Sequence, residues 1–138
     1  MDVPRAVRTG VAGALAMGAT TALEMRLSGR PPSPVPARML APVPMIGRLA
    51  ERHPDLVSWA ALPASALLIG VAREWLPGPA AFFAVVWSPD LVLAPAARAA
   101  RPPWRWTAAE LALSAAHHAA FTAAGEAAYR WSGNGCSS

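Results

Sequence analysis

Ionisable side chains are scarce in this chain, and the few set inside apolar stretches are where chemistry could arise. Glu24, Asp90, Glu110, His117 and His118 fall within or beside segments dominated by Ala, Leu, Val and Gly. A charged group in such a setting is expensive unless paired. It therefore turns toward a bundle interior or a water-filled cavity, where it binds protons, ions or another side chain. Imidazole titrates near neutral pH and ligates metals. Adjacent helical residues diverge by about 100°, so His117 and His118 are poorly placed to hold one ion together. No H-x-x-x-H or H-E-x-x-H spacing is present, and His53 is remote in sequence. No metal site and no cofactor are expected. Nucleophile elbow, P-loop, dinucleotide fingerprint and zinc spacing are all missing. An enzyme acting on a lipid or prenyl substrate would need paired carboxylates to hold metal and diphosphate, and no D-x-x-x-D pair occurs.

The last apolar segment holds the longest polar series. Glu110, Ser114, His117, His118, Thr122, Gly125 and Tyr129 recur at spacings of three and four, one stripe on an alanine-rich helix. Hydrogen bonding across to another helix is the simpler role for it. A path for protons or a ligand is the alternative. In the first segment Gly10, Gly13, Ala14 and Gly18 keep one side small, which lets helix backbones approach closely. Glu24 then has Arg26, Arg30 or a histidine of the last helix as partners. Asp90 follows Pro89 and is expected to cap a second short helix. Unwound backbone beside a carboxylate, as in transporter ion sites, is the other reading. Packing between the first and last helices, antiparallel, places Glu24 level with Glu110 and Ser114.

The elements that must position these residues are apolar helices. Charged residues are 14% of the 138, and hydrophobic residues 54%, against about 25% and 45–50% in soluble domains. A domain this small needs much polar covering, and a lipid-facing surface removes that need. Four spans are expected, at about 7–26, 56–73, 80–97 and 106–129, with a proline-rich, partly interfacial connector over 28–54. The expected fold is all-α, a small membrane-embedded bundle of about four short transmembrane helices. The first segment resembles a signal peptide, but it is read as an uncleaved span. In the connector, residues 28–36 are too rich in proline for helix and should be extended. Met45 to Arg52 suits a short interfacial helix. Thr107 and Glu110 form a capping box at the start of the last span. Trp59, Trp75, Trp104, Trp106 and Trp131 lie near span ends, where an aromatic belt belongs. The competing fold is a soluble helical bundle.

All 12 basic residues are arginine, and the net charge is +4. They are scattered between apolar segments rather than gathered in a stripe, so nucleic acid is not an expected partner. The bilayer is, through its anionic headgroups. With four spans, eight arginines fall on the connector side and four on the side of the termini, which predicts both termini outside the cytoplasm. The lone Cys136 excludes an intramolecular disulfide, and the tail around it is expected to be flexible.

The layout resembles small uncharacterised integral membrane proteins common in actinobacteria. The features that carry the resemblance are the glycine-rich first span ending at Glu24, the run Arg30-Pro31-Pro32-Ser33-Pro34, and a last span with His117/His118, Gly125 and Tyr129. It implies a multi-pass protein of the bacterial inner membrane and no assigned reaction. The expected function is a non-enzymatic helix-packing or partner-binding membrane component, acting as a homo-oligomer or with another membrane protein. The alternative is a small transporter or proton-conducting protein using Glu24, Asp90 and the histidines.

Overall fold

A computed structural model describes residues 2–31 and 33–133. Among them every regular element is helical. Helix α1 spans Val3–Ser28. Asp2 caps it by accepting a hydrogen bond from the Arg5 amide at 3.0 Å, and Pro4 sits in the first turn, where no amide hydrogen is needed. Gly29 ends it with φ 67°, its N–H bonded to the Met25 carbonyl, a left-handed cap that glycine adopts without strain.

The connector folds into α2, Val35–Leu40, and α3, Pro44–Arg52. Helix α2 corrects the expectation of extended chain through residue 36. Pro36 lies in its first turn, where its missing amide hydrogen costs no helical hydrogen bond. Both short helices pack on the start of α4, Pro54–Arg73, burying Ala37, Ala50 and Val57 together. The Ala37 amide donates to Ser58 Oγ at 3.2 Å.

The next rod, Pro79–Ala96, comprises α5 (Pro79–Ser88), a π-helical turn (Pro89–Leu93) and α6 (Ala94–Ala96). Pro89 cannot donate to the Val85 carbonyl one turn back; the Ser88 hydroxyl takes that carbonyl instead, at 2.9 Å. The chain widens by one residue and continues, the Ala94 amide reaching the Pro89 carbonyl. This corrects the expected break into two pieces with Asp90 as cap. The last helix, α7, runs Ala108–Gly133. Its start is the expected capping box: Glu110 N–H donates to Thr107 Oγ1 at 3.2 Å, and Thr107 N–H to Glu110 Oε2 at 2.8 Å. Cys136 and most of the tail expected to be flexible lie outside the described residues.

Helix α1 is central, packed on α4 along one side and on α7 along the other, with α5 against α7. Neighbours run antiparallel: Gly10 and Ala6 meet Ala66 and Gly70, while Thr9 and Gly13 meet Gly125 and Phe121. The buried apolar centre is Ala66, Phe82, Val86 and Phe121. Two rods, Pro54–Arg73 and Pro79–Ala96, are long and apolar enough to cross a membrane.

Candidate functional site

Two polar clusters lie between the helices, one at each side of the Phe82–Phe121 centre. The first gathers Trp87 and Asp90 from the α5 rod with Ser114 and His118 of α7. The Trp87 indole donates to Ser114 Oγ at 3.0 Å, and Ser114 Oγ donates to Asp90 Oδ2 at 3.2 Å. His118 Nδ1 stands 2.7 Å from the Ser114 carbonyl oxygen, and Nε2 stands 3.8 Å from Asp90 Oδ2. The imidazole is buried, with 6% of its side chain exposed, whereas Asp90 keeps 39%. The Trp87 ring covers it, with centroids 6.5 Å apart, and stacks in turn on Phe83. The π-helical turn lies at Asp90 itself, and such turns are frequent at functional sites.

The other sequence-derived candidates are placed apart from this cluster. Glu24 pairs with Arg30 at 3.8 Å and accepts a hydrogen bond from Ser28. It lies within electrostatic reach of His117, which is less buried than His118. Glu110 is bound by its own capping box and by Arg101. The five ionisable candidates therefore do not form one site: Asp90 and His118 meet, Glu24 and His117 stand nearby, and Glu110 serves the helix start. Among the described residues no group of three or more His, Cys, Asp or Glu is arranged to hold a metal ion.

The second cluster lies at the end where α1 begins and α7 finishes. Arg73 donates to both Glu126 oxygens, at 2.8 and 3.2 Å, and to the Leu76 carbonyl at 3.0 Å. Arg130 also reaches Glu126, at 2.8 Å. Arg5 holds Glu74 through two hydrogen bonds of 2.9 and 2.7 Å. The Tyr129 ring joins the two halves, with the Arg5 and Arg73 guanidinium carbons 4.5 and 4.2 Å from its centroid. Arg5 holds the Glu74 carboxyl below the usual carboxylate range, because both hydrogen bonds favour the charged form.

Sequence reasoning missed this cluster apart from Tyr129. A signal existed. Continuing the series Ser114, His118, Thr122 in steps of four lands on Glu126 and then Arg130. Arg73 read as a span end, and nothing local marked it as buried.

The packing glycines divide. Gly10 lies against the Ala66 carbonyl of α4, Gly13 beneath the Phe121 ring, and Gly125 against Phe82 and the Thr9 carbonyl. Gly18 has open space where a side chain would stand, which corrects its assignment as a packing residue. Comparison with family models, curated proteins and solved structures finds no match.

Proposed function

We propose that the chain is a non-enzymatic, four-span integral membrane protein of a bacterial inner membrane, a helix-packing or partner-binding component whose outer faces meet lipid and other membrane helices. The observation that carries this reading is an inversion of polarity. Arg73, Glu126, His118, Thr9 and Thr122 are buried. Leu15, Leu23, Leu27, Leu56, Leu68 and Val92 are each more than half exposed. In water this arrangement leaves large apolar side chains unburied while burying charges, which is the reverse of a soluble surface. In hydrocarbon it is the favourable arrangement.

The α4 and α5 rods supply two spans by length and composition. On this reading α1 and α7 cross beside them, with Thr9, His118, Thr122 and Glu126 turned toward the bundle. Exposed Trp75 and Trp131 stand at one end of the bundle, and Trp59 and Trp104 at the other, consistent with two interfacial belts.

Carbonate extraction at high pH tests the reading. The protein should stay in the membrane pellet; release to the supernatant overturns it in favour of a soluble bundle. A second reading, a proton-conducting or small transport protein, draws on the approach of Asp90 and His118 across two helices.

A further inference from the structure

In the cluster around Ser114, chemistry assigns every hydrogen but one. The Trp87 indole can only donate, and it donates to Ser114 Oγ. The Ser114 hydroxyl hydrogen goes to Asp90 Oδ2. A backbone carbonyl can only accept, so His118 Nδ1, 2.7 Å from the Ser114 oxygen, carries a hydrogen whether the ring is neutral or charged. That leaves Nε2. It faces Asp90 Oδ2 at 3.8 Å, and while the ring is neutral it presents a lone pair to a carboxylate, acceptor against acceptor.

We propose that His118 Nε2 and Asp90 form a one-proton binding site between α7 and the π-helical turn of the α5 rod. The proton comes from solvent water and forms the N–H bond with the imidazole lone pair. The product is an imidazolium whose two hydrogens point at the Ser114 carbonyl and the Asp90 carboxylate, and no other bond changes. The Nδ1–H is then hydrogen-bonded to the Ser114 carbonyl, and the Nε2–H stands at ion-pair distance from the Asp90 carboxylate, which offsets part of the cost of a buried charge.

The rest of the surroundings suits this. Asp90 is the more exposed end of the pair and His118 the enclosed one. The Trp87 ring covers the imidazole. The other ionisable groups nearby are His117 on the same helix and Glu24 from α1, which acts on His117. Glu126 lies about two turns further along α7 from His118 and is paired with Arg73 of α4. The site rests on interhelical geometry and holds whether or not the bundle lies in a membrane. Failure of the membrane reading shows in the carbonate fractionation, failure of this proposal in the spectra below.

The test uses the full chain with 15N-labelled histidines, in detergent or nanodiscs, with ring-nitrogen shifts followed from about pH 4 to 9; the signals missing in H118Q assign His118. Nδ1 should stay protonated throughout and Nε2 should gain its hydrogen as the pH falls. D90N removes the carboxylate that faces Nε2, so the His118 signals should move relative to those of His53 in the connector, which has no contact with Asp90. The wild-type spectra are decisive without the variant. A neutral ring that carries its hydrogen on Nε2 rather than Nδ1 overturns the proposal. So do His118 signals that move no more in D90N than those of His53.

Discussion

Tyr129 lies between two guanidinium groups, each paired with its own acid: Arg5 with Glu74 on one side, and Arg73 with Glu126, which Arg130 also holds, on the other. Of these the Arg73–Glu126 pair is the most enclosed, both side chains about nine-tenths buried. Breaking such a pair on one side strands a charge, at a cost of about 3–5 kcal/mol, whereas replacing both partners by apolar groups is often neutral. E126Q and R73M should therefore each destabilise the bundle by roughly that amount, and R73M combined with E126L should recover most of the loss. Unfolding midpoints in detergent measure this; additive losses in the double variant contradict it.

The Arg5–Glu74 pair makes a prediction about acid. The folded Glu74 carboxyl lies below its ordinary value near 4.5. Its contribution to stability is thus present above that value and disappears as the pH falls through the folded one. E74Q should flatten this part of the acid limb in a plot of stability against pH and leave the neutral region parallel. An unchanged acid limb means the pair does not act in this way.

At the scale of the element, α1 and α4 touch backbone to backbone. A Cβ on Gly10 would fall on the Ala66 carbonyl, and one on Gly70 on the Ala6 carbonyl. The residues alternate in steps of four, Ala6 and Gly10 facing Ala66 and Gly70, so two small-residue ridges meet. G10V or G70V must separate the helices, and a loss of about 1–3 kcal/mol is expected from overpacking. G18A meets nothing and should gain up to about 1 kcal/mol from helix propensity. Thermal unfolding of the three variants separates the two classes, and an equal effect in all three rules out the close crossing. The Pro79–Ala96 rod illustrates how an element survives a defect. Ser88 satisfies the carbonyl that Pro89 leaves open, and the resulting wide turn lies where Asp90 reaches Ser114 and His118.

For the whole molecule, the proposed four-span arrangement gives an orientation. Arg26, Arg30, Arg38, Arg48, Arg52, Arg98, Arg101 and Arg105 belong to the connector end, and Arg5, Arg8, Arg73 and Arg130 to the end with the termini. In that arrangement the arginine bias predicts that the connector end faces the cytoplasm. A reporter fused after Ser138 should read out on the far side of the membrane, and one placed at Gly29 in the cytoplasm. Both reporters on the same side contradict the four-span arrangement.

Much of the architecture was determined by sequence alone, because it rests on local rules. Low charge and apolar runs of helical length predict helices, the T-x-x-E box sets the start of α7, and small residues at Gly10 and Gly13 predict close approach. Each of these depends on a residue and its near neighbours. Tertiary structure decided what depends on groups distant in sequence. Asp90 became a partner of His118 instead of a cap only because α7 passes beside it. Arg73 and Glu126 are 53 residues apart. The four-residue series on α7 points to Glu126, but Arg73 has no local signal of burial, since a charge at the end of an apolar run reads as solvated until a second charge is brought against it.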